Sequence, residues 1–196
     1  MDNVRRDFGT LTWVLIPVAV AINVAIGQLI LLLKLPLYLD SIGTVLVGVL
    51  SGGLAGALTG FVSNVVWGFL GNVIYVPFAA VAAGIGLLAG FFADVGWFKS
   101  WWKTAIGGLV TGMVAAILSA PIAAFVFGGV TGSGTDAVVA LFRGLGLDVL
   151  GANMAQGVTS DPIDKAISFL VVWLILRALP MRFLARFPRS GNVDRG

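Results

Sequence analysis

From Leu11 to Leu33 the chain runs without a single charged side chain. An apolar stretch of that length reads as a helix crossing a bilayer, because ~20 residues rising about 1.5 Å each match the hydrocarbon layer. Further apolar runs follow, and the composition agrees with lipid as the solvent: 59% hydrophobic, 11% charged, mean hydropathy +1.04. Soluble domains carry about a quarter charged residues. The expected fold class is an all-α integral membrane protein, one membrane domain over 1–196.

Six transmembrane helices are expected, at about 11–33, 42–50, 54–69, 78–92, 104–127 and 161–179. Arg5 and Arg6 precede the first like the n-region of a signal peptide, but Leu11–Leu33 is too long for an h-region and is expected to be retained. Lys34-Leu35-Pro36 ends it. Ser51-Gly52-Gly53 interrupts the apolar run from Ile42 to Gly71, and each glycine costs about 1 kcal/mol against alanine inside a helix. The run is therefore divided into two short helices, which must pack against protein. Trp97, Trp101 and Trp102 beside Lys99 and Lys103 read as an interfacial belt. Residues 128–160 read as a long outer connection holding one or two short amphipathic helices. Asp161-Pro162 reads as the start of helix six, with Asp161 as N-cap and Pro162 at the first helical position. A basic tail, 180–196, closes the chain.

Charge sets the expected topology. With both termini cytoplasmic, six spans place Arg5, Arg6, Lys99, Lys103, Arg177, Arg182, Arg186, Arg189 and Arg195 inside, and leave Lys34, Arg143 and Lys165 outside. Five or seven spans break this asymmetry. The net charge of +3 is gathered at the chain ends, so it reports orientation and no nucleic-acid partner is expected.

Cysteine and histidine are absent, and all nine acidic residues are aspartate. Disulfides, thiolate or imidazole catalysis and the HExxH zinc site are excluded. No catalytic residue, metal or cofactor is expected, and the chain reads as a non-enzyme. Gly128–Gly134 is glycine-rich but holds no lysine, so it is no nucleotide loop; it reads as a gate hinge or a plain linker.

Polar residues near helix ends converge on the outer side. Asp40 and Ser41 open helix two. Asn64 and Trp67 lie late in helix three, followed by Asn72 and Tyr75. Asn153, Gln156, Asp164 and Lys165 precede or open helix six. Polar groups are costly in hydrocarbon, and a few of them among apolar and aromatic walls suit a solute pocket. Helix caps, a lysine paired with Asp161 and snorkelling account for some of the same residues. Gly48, Gly52, Gly56 and Gly60 fall four apart, which suits close helix contact.

These features, taken in order, resemble the substrate-binding S components of energy-coupling factor (ECF) vitamin transporters. The match rests on Ala21-Ile22-Asn23-Val24-Ala25 in helix one and on the run Leu35-Pro36-Leu37-Tyr38-Leu39-Asp40-Ser41-Ile42-Gly43-Thr44. It rests further on Gly53 to Gly60 leading to Asn64 and Trp67-Gly68, and on the basic tail. The resemblance implies a membrane subunit that captures a water-soluble vitamin or related micronutrient outside the cell. It further implies docking, through Ala21 and Ala25, onto a membrane coupling subunit carrying two cytoplasmic ATPases, with Leu35–Ser41 gating the pocket. The implied location is the prokaryotic cell membrane. Two other classes stay open: a stand-alone secondary transporter relaying protons or ions through Asp40, Asp164 or Lys165, and a membrane sensor or assembly module.

Overall fold

A computed structural model describes residues 7–193, which leaves Arg5, Arg6 and Arg195 outside the described residues. The described chain is helical, with no strand. In order come α1 (Thr10–Leu32), α2 (Ile42–Ser51), α3 (Gly53–Phe69), a 3-10 helix (Val73–Phe78), α4 (Ala79–Asp94), a second 3-10 turn (Trp97–Lys99) and α5 (Trp101–Phe127). The amphipathic α6 (Asp136–Gly144), the long α7 (Val149–Ala178), the single turn α8 (Met181–Leu184) and a last 3-10 turn (Ser190–Val193) follow. Three segments are long and apolar enough to cross a membrane: Thr10–Leu32, Val73–Asp94 and Trp101–Phe127. Their outward faces carry Val14, Val18, Leu29, Leu87, Phe91, Ile117 and Phe125, all exposed, as lipid contact requires.

Gly52 divides α2 from α3, as expected from Ser51-Gly52-Gly53. Its φ of 109° lies where a side chain is strained, so the chain reverses there into a tight helical hairpin. Every residue of α2 is buried, so this ten-residue helix is a core element wrapped by the others. Asn23 fixes it to its neighbours. From α1, its amide donates to Thr44 Oγ1 (2.8 Å) and Ser63 Oγ (2.9 Å), and its carbonyl oxygen accepts from Gly43 N (2.7 Å).

Small residues let the backbones meet. Gly56 and Gly60 of α3 lie against Gly86 and Ala82 of α4, where no added Cβ fits. The four-residue ladder is thus a packing surface. A second surface joins α5 to α7, where Gly108 and Gly112 rest on the backbone of Asp161–Ala166 and Gly157 meets Ala116.

That second contact overturns the expected start of helix six. Asp161 is no N-cap and Pro162 is not at a first helical position: both lie inside α7, which begins at Val149 and is capped by Asp148 accepting from Gly151 N (2.8 Å). The expected connection 128–160 therefore shrinks to a glycine-rich loop, α6 and a short turn. A proline inside a helix removes one backbone bond, but packing against neighbouring helices tolerates this. Here the Pro162 backbone sits against Gly112.

The two ends of the bundle differ. At one end α1, α3 and α5 finish and α7 begins, whereas α2 starts deeper in the bundle, level with Asn23 of α1 and Asp164 of α7. At the other, the tail folds back: Leu184, Phe187 and Val193 are buried in the core, and Arg189 N donates to Leu50 O (3.0 Å). The Arg189 guanidinium bridges Asp7 (3.0 Å) and Asp94 (3.1 Å). Partial burial works against its charge, but the hydrogen bond and charge of Asp7, with the charge of Asp94, outweigh it and raise its pKa.

Candidate functional site

A cavity opens at the end opposite the tail, between the α1–α4 group and the α5–α7 pair. The cavity has a volume of about 90 Å³ and is open at its mouth. Its walls are apolar where the first 3-10 helix, α4 and α5 line it, through Phe78, Val81, Ile85, Ala115 and Ala120. Its polar groups come from elsewhere: Asp40 and Ser41 before α2, Asn64 on α3, and Asn153, Gln156, Asp161 and Lys165 along one face of α7. Asn153 and Gln156 stand three apart and Asp161 and Lys165 four apart, spacings that put each pair on one face of the helix.

Of the residues singled out in the sequence, Asp40, Ser41, Asn64, Tyr75, Asn153, Gln156 and Lys165 line this cavity. Trp67, Asn72 and Asp164 do not. The Trp67 ring is buried against Gly27, donates from Nε1 to Gln28 Oε1 (3.1 Å), and stacks on Tyr75 with centroids 3.6 Å apart. Trp67 thus holds Tyr75 at the wall from behind. Asn72 contributes only backbone bonds, to Trp67 and Tyr75.

Asp164 is fully buried and works on the roof. One carboxylate oxygen accepts from both Tyr38 N and Leu39 N, each at 2.8 Å, and the other pairs with Lys165. Leu39 has φ of 49°, a left-handed conformation that costs a non-glycine residue about 1–3 kcal/mol. The two bonds from Asp164 offset that strain and pin the connection after α1 over the cavity. Lys165 also reaches Asp40 (3.3 Å), and its ammonium stands over the Tyr38 ring (5.7 Å). Its ion-pair partners are therefore Asp40 and Asp164, and the pairing with Asp161 does not form.

The roof has a second half. The glycine-rich loop after α5 folds around Asp136, whose carboxylate accepts from Thr131 N, Gly132 N (2.7 Å) and Thr131 Oγ1 (3.0 Å). This loop meets the first through Tyr38 OH and Thr135 Oγ1 (3.0 Å) and through Lys34 Nζ donating to Gly132 O (2.7 Å). At Gly134 the loops touch so closely that a Cβ would run into the carbonyls of Lys34 and Leu35. Burial, reinforced by the negative charge of Asp161, pushes the Tyr38 phenol above its ordinary pKa, so it stays a neutral hydrogen-bonding group.

Tyr38, Ser119, Asp161, Thr131, Ser133, Thr135 and Asp136 are site residues beyond the ten proposed from sequence. Asp161 was hidden by its resemblance to a cap. The hydroxyl cluster was hidden in a loop whose position depends on a contact with residues about a hundred positions away. Among the described residues no group of acidic side chains is arranged to hold a metal ion.

Ala21 and Ala25 do not line the cavity and are exposed on α1, as are Val14, Val18, Leu29 and Leu32. Comparison with known proteins returns no relative: no family model, no curated protein and no solved structure matches the chain.

Proposed function

We propose that this chain is the substrate-capturing membrane subunit of an ECF-type importer, binding a small water-soluble micronutrient from outside in the roofed cavity. The observation that carries the reading is the cavity itself. It is a compartment with apolar walls, a few convergent polar groups and a roof of two hydrogen-bonded loops, set at one end of an otherwise apolar helical body. Six crossings with both termini cytoplasmic fit the charge distribution: Lys99, Lys103, Arg177, Arg182, Arg186 and Arg189 gather towards the tail end, away from the cavity.

In this reading the ligand enters when the loops part, and closure restores the Tyr38–Thr135 and Lys34–Gly132 bonds over it. Asp164 keeps the first loop anchored throughout. The exposed Ala21/Ala25 side of α1 offers a smooth face for a membrane coupling subunit bearing two ATPases. No energy-converting chemistry is assigned to the chain, which acts by binding and not as an enzyme.

The test is expression of the tagged chain in its native membrane, followed by gentle purification. Recovery of one further membrane subunit and two ATPases, with ATP-dependent uptake of the ligand, is the expected result. The buried Asp40–Lys165–Asp164 array favours a second reading, a proton- or ion-coupled carrier, since such arrays serve as relays. Uptake driven by a proton gradient with this chain alone in liposomes supports that reading and removes the first.

A further inference from the structure

Two buried side chains at this cavity have a polar atom with nothing to bind. Asp161 Oδ1 and Gln156 Nε2 are both without a hydrogen-bond partner, on residues 5% and 6% exposed, and both residues line the cavity. The third such atom among the described residues, Trp173 Nε1, belongs to no cavity-lining residue. Unpaired buried polar atoms are rare, and here an acceptor and a donor stand on one helix at the edge of one empty space.

The other charges nearby are already engaged. Asp40 holds Lys165 and the Ser41 hydroxyl. Asp164 holds Lys165 and two backbone N–H groups. Asp136 is wrapped by its own loop. Lys165 is shared between two carboxylates, and Lys34 is turned to Gly132 O. Only Asp161 is left, with one long contact from Ser119 Oγ (3.4 Å) to Oδ2. An anionic ligand meets no unengaged cation here and faces an excess of carboxylates. A cation finds a buried carboxylate waiting.

We infer that the ligand carries a cationic nitrogen head, an amine or amidine-type group, seated on Asp161, with an acceptor atom facing Gln156 Nε2 and a flat or apolar body against the α4–α5 wall. This rests on the capture reading above and names its substrate class. Asp161 is then a specificity-determining residue, and its place inside α7, held by Pro162 and Gly112, gives the carboxylate a fixed position.

The test uses the full chain in detergent, with binding read by thermal shift and calorimetry against three groups of probes. Thiamine and pyridoxamine are cationic, nicotinamide, pyridoxine and riboflavin neutral, biotin and pantothenate anionic. Binding confined to cationic probes is expected, with Asp161→Asn weakening it at least about tenfold and Gln156→Leu weakening it less, as lost charged and neutral hydrogen bonds do. A neutral or anionic probe binding as well as any cationic one, or cationic binding untouched by Asp161→Asn, overturns the inference and leaves capture standing. Should Asp161→Asn fail to fold, the ranking of the probe groups on the wild-type chain decides alone. Failure of every probe to bind counts against capture itself, and against this inference with it.

Discussion

Lys165 Nζ lies 3.3 Å from Asp40 Oδ1, and this contact joins the middle of α7 to the start of α2. Both residues line the cavity, so the same ion pair that fastens the two halves of the bundle also forms part of its charged lining. Asp164, next to Lys165 in sequence, extends the link to the roof through Tyr38 N and Leu39 N.

Removing Asp164 should therefore cost more than removing either cavity-lining partner. Asp164→Ala leaves Lys165 with one carboxylate and strands two backbone N–H groups, and losing one partner of a buried pair costs roughly 3–5 kcal/mol. Thermal unfolding in detergent is expected to show a large drop for Asp164→Ala and a smaller one for Asp40→Asn. Asp40→Asn with Lys165→Met should show coupling of about 1–3 kcal/mol, as groups in direct contact do. Additive effects of those two changes would remove the ion pair as a structural link.

Tyr38→Phe deletes only the hydroxyl that meets Thr135 Oγ1. A single hydrogen bond contributes about 0.5–1.5 kcal/mol, enough to loosen the roof without unfolding the bundle. Hydrogen exchange should quicken in both loops, around residues 33–41 and 128–135, and stay unchanged in α2. Faster exchange in the first loop alone would mean that the two loops do not open together.

Gly112 and Gly84 make a matched pair of helix glycines. A Cβ at Gly112 would collide with the Asp161 and Pro162 backbone, whereas at Gly84 it meets nothing within 4 Å. Gly112→Val is expected to destabilise by about 1–3 kcal/mol or more through overpacking. Gly84→Ala is expected to be neutral or to stabilise by up to about 1 kcal/mol, because alanine is the better helix former. Comparable melting of the two variants would contradict the close α5–α7 contact.

The helical hairpin at Gly52 was legible because glycine and serine signal a break through local backbone physics. So were the apolar spans and the polar character of Asn64, Asn153 and Gln156. The role of Asp161-Pro162 was not, since the same pair starts many helices, and only the opposing glycines of α5 show that this helix runs through it. Asn23 stood inside the Ala21–Ala25 motif, and nothing local revealed that its amide ties α1 to α2 and α3. Trp67 was placed near the right site for a partly different reason: it supports Tyr75 and does not line the cavity. Local signals located the elements, while contacts between residues distant in sequence assigned the side chains their tasks.

Native mass spectrometry of the wild-type chain, released gently from its membrane, tests capture most directly. A bound small-molecule mass is the expected result, one that is lost on brief unfolding and absent from Asp161→Asn purified in the same way. A bare chain that also takes up no vitamin-class compound added at saturating concentration would contradict capture and leave the cavity without its assigned role.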